Sequence, residues 1–167
     1  VISLEIEALK LLKKSLNRNF DKAVNAIINC QSKIIFCGVG KSGLIASKIA
    51  STMSSVGCPA FSLSANDCLH GDLGSISSKD LLILISNSGK SKELLPIIKF
   101  ANRNKIKLIG IVSEKNSSLY KGSDIQILLP EVKEAGLGIV PTSSTSVQLA
   151  VGDALAVSAL NKKKFSK

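Results

Sequence analysis

The sequence predicts an α/β fold, a five-stranded parallel sheet covered on both faces by helices. Two observations carry this: five short apolar runs recur along the 167 residues, and segments with helical spacing separate them. A third agrees with them. The turns that follow these runs hold nearly all the chemically interesting side chains, and in parallel sheets ligands sit beyond the carboxyl ends of the strands.

Leu4, Leu9, Leu11, Leu12 and Leu16 mark one apolar helical face, and Phe20, Val24, Ile27 and Ile28 repeat it after Asn19. Helices are therefore expected over 2–30. Lys33 to Cys37 reads as a buried strand ended by Gly38-Val39-Gly40, and Ser42 to Val56 as a helix closed by Gly57 and Pro59. Further strands are expected at Ala60–Leu63, Leu81–Ile85, Lys107–Val112 and near Ile125–Leu129. A helix over Glu93–Asn102 and a long last one over Thr145–Leu160 complete a sheet core spanning 33–160.

A chain of this length buries roughly 70% of its unfolded surface, enough for a core without staples. Cys30, Cys37, Cys58 and Cys68 show no CxxC spacing and read as free thiols of a reducing cytoplasm. No run reaches the ~18 apolar residues of a membrane span, so no membrane association is expected. The formal charge of +10 raises the question of nucleic acid, but Arg18 and Arg103 are the only arginines and aromatics make up 4%. Stacking and bidentate readout lack their parts, and the lysines read as a solvated surface that favours small phosphorylated anions.

The most informative segment is Ser86-Asn87-Ser88-Gly89-Lys90-Ser91, between the strongest strand and the helix beginning near Glu93. Hydroxyls and unpaired first-turn amides at the positive end of a helix dipole make an anion pocket there, suited to phosphate. Gly38-Val39-Gly40-Lys41-Ser42-Gly43 matches a dinucleotide-binding pattern between strand and helix, yet no acidic residue closes the next strand before Asp67. A phosphate-binding P-loop fails as well, because Ile35 stands where it needs glycine. Tight turning accounts for the glycines, and Lys41 at the loop tip is placed to meet a phosphate or a developing oxyanion.

His70, the sole histidine, lies between Leu69 and Gly71 and suits proton transfer; without a second histidine it is a poor metal ligand. Glu93 and Glu134, each just beyond a strand and turn, are expected to approach one crevice, although first-turn dipole pairing and a plain loop charge are their simpler readings. Pro141-Thr142-Ser143-Ser144-Thr145 opens the last helix with more hydroxyls than an N-cap requires.

Taken in order, Gly38 to Gly43, His70-Gly71-Asp72-Leu73-Gly74, Ile85 to Gly89, Lys133-Glu134-Ala135, Pro141 to Thr145 and Gly152-Asp153-Ala154-Leu155-Ala156 closely resemble the arabinose-5-phosphate isomerases, enzymes of the sugar isomerase (SIS) domain family. The likeness runs from about Asn19 to Phe165. It implies a flavodoxin-like SIS sandwich in one domain over 1–167, a cytoplasmic homotetramer with shared active sites, and interconversion of D-ribulose 5-phosphate and D-arabinose 5-phosphate for synthesis of Kdo, a sugar of lipopolysaccharide. By motif, Ser86, Asn87, Ser88 and Ser91, with Ser42, Ser143, Ser144 and Thr145, would surround the phosphate. Lys41, Glu93 and Glu134 match catalytic positions, and Gly57, Cys58 and His70 substrate-contacting ones.

Aldose–ketose isomerisation needs a base and an electrophile but no cofactor. Glu134 is the expected base, Lys41 the stabiliser of the enediolate, and Glu93 or His70 the acid that shuttles hydroxyl protons. A partly closed crevice is expected to raise the pKa of Glu134 toward neutrality. Members of the resembling family often continue into a His-Pro-Gly-Gly segment and paired CBS modules, neither of which occurs in this sequence. Ser64 and Lys90 replace a zinc-capable histidine and a glutamate common in relatives, which implies no metal and a more positive pocket mouth. The alternative is a non-catalytic sugar-phosphate sensor, disfavoured by the convergence of Lys41, His70, Glu93 and Glu134.

Overall fold

The structure is a computed structural model that describes residues 1–163; the tail of the resemblance as far as Phe165, and the last residues of the expected domain, lie outside that range. Helices α1 (Ile2–Ser15) and α2 (Arg18–Ile28) precede β1 (Ile34–Gly38), α3 (Lys41–Ser55), β2 (Ala60–Ser64) and the short α4 (Ala65–Cys68). After a 3₁₀ turn (Asp72–Ser75) come β3 (Leu81–Ser86), α5 (Leu94–Arg103), β4 (Lys107–Val112), α6 (Ser118–Gly122), β5 (Ile125–Leu128) and α7 (Ser143–Lys162). All strand pairs are parallel, in the order β2-β1-β3-β4-β5. The expected strands and long helices are present with small shifts of their ends; α4, the 3₁₀ turn and α6 are too short to leave a periodic signal.

The central strands are buried on both faces, and alternation along them sorts side chains into two cores. Ile34, Phe36, Ile83 and Ile85 meet α2, α3 and α7 on one face, whereas Ile35, Cys37, Leu82 and Leu84 meet α4, α5 and α6 on the other. Helix α1 lies against α7, outside the first layer. Helices α3 and α7 pack unusually close: a Cβ added to Gly152 would stand 2.2 Å from Cδ1 of the fully buried Ile49. Lys48 and Asp153 pair across the same helix contact.

At the amino ends of β1 and β3, Asp80 is buried and accepts from Lys33 Nζ at 2.9 Å, from the Ser77 amide at 2.7 Å and from the Lys33 amide at 3.3 Å. Burial pushes its carboxyl up, but the Lys33 ammonium and the bonds from Ser77, Ser32 and the Lys33 amide outweigh it and hold the group at about 2. The two central strands are thus tied at the end opposite their functional loops.

All four cysteines are free thiols, and Cys37, Cys58 and Cys68 are buried. No helix is long and apolar enough to cross a membrane among the described residues.

Because the folded pKa of Asp80 is depressed, its stabilisation is full above the ordinary carboxylate value of about 3.9 and disappears as pH falls through about 2. Thermal melts between these limits should show Asp80→Asn losing less stability on acidification than the parent, by on the order of 2 kcal/mol. Gly152→Ala should destabilise by about 1–3 kcal/mol in denaturant titrations, the crowding of Ile49 exceeding the gain in helix propensity.

Candidate active site

Strand β1 lies between β2 and β3, and the helices that follow β1 and β3 go to opposite faces, so the loops beyond these two strands part. A crevice of about 390 Å³ opens near the parting. Val39, Lys41 and Ser42 line it from the β1–α3 turn, Asn87 from the turn after β3, and Ser144, Thr145 and Gln148 from α7. Glu134, Gly138, Ile139 and Pro141, on the segment leading into α7, form the remaining wall.

The glycine loop owes its shape to steric contact. A Cβ on Gly38 would come within 2.8 Å of the Ser42 backbone, one on Gly43 within 2.9 Å of the Gly38 carbonyl, and Gly40 has φ +59°. The strand end and helix start can therefore touch, and Lys41 and Ser42 begin α3 at the crevice. No side chain caps this helix start, so its first-turn amides stand at the positive end of the dipole, ready for an anion.

In the serine turn, Ser86 Oγ accepts from the Gly89 amide at 3.0 Å and lies 3.4 Å from Ser91 Oγ, and Ser88 Oγ accepts from the Lys90 amide at 3.3 Å. These hydroxyls shape the turn; Asn87 is the member that borders the crevice. Asn87 is itself held, since its side-chain oxygen accepts from Ser113 Oγ at 2.7 Å and its carbonyl from the Ser113 amide at 3.0 Å. Gly89 has φ +65°, and a Cβ there would stand 2.3 Å from Ser117 Oγ. Lys90 pairs with Glu114, which offsets the positive charge expected at the pocket mouth.

Glu134 is the most constrained ionisable group of the crevice. Its Oε2 accepts from the Thr142 amide at 2.7 Å, Thr142 Oγ1 at 3.0 Å and the Ser144 amide at 3.3 Å. Thr142 Oγ1 also accepts from the Ala135 amide at 2.9 Å, closing the segment between them into a loop. The expected rise in its pKa does not occur. Burial pushes the carboxyl up, but the Ser144 hydroxyl, the Thr142 and Ser144 amides and the Thr142 hydroxyl outweigh it and hold it below the usual glutamate range. Half-burial beside a helix start supplies donors faster than it removes water.

The structure brings together Lys41, Ser42, Asn87, Glu134, Ser144 and Thr145. Glu93 is half-buried at the start of α5, at the end of the serine turn, and outside the crevice lining; Ser143 is fully buried on α7. His70 is exposed in the turn after α4, beyond the edge strand β2, and does not line the crevice. Gly57 and Cys58 sit at the amino end of β2, away from the crevice of this chain, and local structure accounts for both. Gly57, at φ +76°, and Cys58 send their amides back to Ser54 and Met53 in a Schellman ending of α3, and the Cys58 side chain joins the core. Gln148 and Ile139 border the crevice without having been expected there. For Gln148 a signal existed: it falls one helical turn after Ser144, as an uncharged polar residue between Val147 and Leu149.

Among the described residues no cluster of His, Cys, Asp and Glu could hold a metal ion. Ser64 instead caps α4, accepting from the Asp67 amide at 3.4 Å.

Residues 27–158 match the SIS domain family. The chain belongs to that family. It is 42% identical over 167 residues to the arabinose 5-phosphate isomerase KdsD of Yersinia pestis, covering 99% of this chain and 51% of that protein. The KdsD of Francisella tularensis is also 42% identical, over 98% of this chain and 51% of the relative. The SIS chain thus spans about half the length of the curated relatives it matches. Among solved structures, Escherichia coli CFT073 c3406 in complex with arabinose 5-phosphate superposes with a TM-score of 0.94 at 36% identity, covering 99% of this chain and 89% of that one. Phosphoheptose isomerase GmhA from Neisseria gonorrhoeae, at 16% identity and a TM-score of 0.77, shares the fold.

In this SIS domain the positive φ and closed surroundings of Gly89 leave no room for a side chain. Gly89→Ala should lower stability by about 1–3 kcal/mol in denaturant titrations.

Proposed function

We propose that this SIS domain is the catalytic part of an arabinose-5-phosphate isomerase that interconverts D-ribulose 5-phosphate and D-arabinose 5-phosphate through an enediolate. The observation that carries the reading is the meeting of Lys41 and Glu134 across one crevice flanked by the starts of α3 and α7. The uncapped start of α3 and the hydroxyls favour the phosphate dianion, and a cation with a carboxylate is what proton transfer next to a carbonyl requires. The relatives named KdsD and the neighbour solved with arabinose 5-phosphate support the choice of pentose phosphate.

In this reading Glu134 takes the proton that moves between C1 and C2, and Lys41 stabilises the negative charge that develops on the enediolate oxygens. The Thr142 amide and hydroxyl and the Ser144 amide bind Oε2, and in this reading Oε1 is the oxygen that meets the substrate. Its lowered pKa keeps Glu134 ionised throughout the neutral range, at some loss of basicity that Lys41 offsets by acidifying the substrate. Glu93 or His70 shuttles the hydroxyl protons.

The same proposal includes a single SIS domain over the whole chain and a cytoplasmic homotetramer with shared active sites serving Kdo and lipopolysaccharide synthesis. Exposed Leu44, Leu137 and Ile139, in or beside the crevice loops, are apolar surface suited to covering by another copy. His70, outside this crevice, would then serve a neighbouring one.

Assayed with ribulose 5-phosphate, Glu134→Gln and Lys41→Met should each lower kcat by about 10²–10⁴-fold. Because Glu134 is already ionised, any acid limb of the rate near pH ~6 should follow the second ionisation of the phosphate ester and not this carboxylate. Full activity of Glu134→Gln would transfer the base role to Glu93. Sugar-phosphate binding without turnover, in this chain and in a C-terminally extended version alike, would reject the isomerase.

A further inference from the structure

Gln148 is 1% exposed, yet it borders the crevice, and its Oε1 is a buried acceptor with no hydrogen-bond partner among the described residues. Unpaired buried amide oxygens are rare because they forgo the bonds they made with water, so such a group inside a binding crevice calls for a partner from the ligand. Helical geometry puts it one turn, about 6 Å along α7, beyond Ser144 and Thr145. It therefore lies deeper along the helix than the hydroxyls of Ser144 and Thr145.

Phosphate is a poor match for this group. An ionised phosphate oxygen only accepts, and a buried carbonyl oxygen also only accepts, so the two cannot bond. A hydroxyl both donates and accepts, as does the carboxamide as a whole, so a polyol chain can satisfy Gln148. We propose that Gln148 is a specificity-determining residue whose carboxamide hydrogen-bonds a hydroxyl on the carbon chain of the sugar phosphate. The inference rests on the crevice being the sugar-phosphate site of the proposed isomerase. It adds a reader of the carbon skeleton to the groups that hold the phosphate.

The test uses Gln148→Met, close in volume and lacking the amide, with three non-reacting probes followed by calorimetry: arabinitol 5-phosphate, n-pentyl phosphate and inorganic phosphate. The affinity for arabinitol 5-phosphate should fall about 10- to 100-fold while that for the two probes without a polyol chain stays within about twofold. The melting temperature of the free protein should be unchanged or raised, since a buried unpaired acceptor has been removed. Gln148→Glu, whose bulk is similar, should not restore arabinitol 5-phosphate binding, because its charge repels the phosphate ester.

Equal losses for all three probes, or a lowered melting temperature with unchanged discrimination, would show a structural role and overturn the proposal. So would an unchanged affinity for arabinitol 5-phosphate. Turnover of ribulose 5-phosphate by the parent, measured alongside, separates the two readings. Discrimination by Gln148 without turnover, in this chain and in a C-terminally extended version alike, rejects the isomerase and keeps the hydroxyl reader, and turnover with no change in discrimination on Gln148→Met does the reverse. A parent that neither turns over nor binds any of the sugar phosphates overturns both.

Discussion

The parallel pairing of β1 with β3 is the constraint on which the rest of this molecule depends. These strands are adjacent although β2 and its following turns separate them in sequence, and their next helices lie on opposite faces of the sheet. Two neighbouring strands whose exits diverge must leave a gap above their carboxyl ends. Asp80 and Lys33 tie the same pair at the other end, where its carboxylate also takes the Ser77 amide. Divergence is thereby confined to the end where the functional loops gather.

Close backbone approach turns that gap into a site. Gly38 and Gly43 let the end of β1 and the start of α3 touch, and Gly152 lets α3 and α7 draw together over Ile49. Both helices consequently begin beside one space, with Lys41 and Ser42 on one start and Ser144 and Thr145 on the other. Glu134 joins them from a loop by accepting the Thr142 and Ser144 amides, a capping arrangement supplied from outside the helix. One carboxylate thus both secures the start of α7 and lines the crevice.

Some of the site was legible in advance because the signals were local. Lys41, Ser42, Asn87, Ser144 and Thr145 follow from turns that any reader of strand and helix boundaries would place at the carboxyl end of a parallel sheet. The electrostatics of Glu134 was not. Its pKa direction depends on donors eight and ten residues away, which replace lost water and reverse the effect of burial. For Gln148 the spacing after Ser144 was a signal but not a decisive one, since a polar residue on a helix faces solvent or a cavity according to what packs beside it, and here α3 and the 134–142 segment decide.

What the sequence by itself determined is the set of elements and their kind: short apolar runs alternating with helical segments fit strands of a covered parallel sheet, and glycine- and serine-rich turns mark where the chain must bend tightly or meet an anion. The tertiary structure alone decided which of those turns share a space. Gly57 and Cys58 close α3 away from the crevice, and His70 stands beyond the edge strand, because strand order sets which loops are neighbours. Spacing along a chain specifies local hydrogen bonds and exposure, whereas strand order follows from how two whole cores pack, a choice no single segment contains.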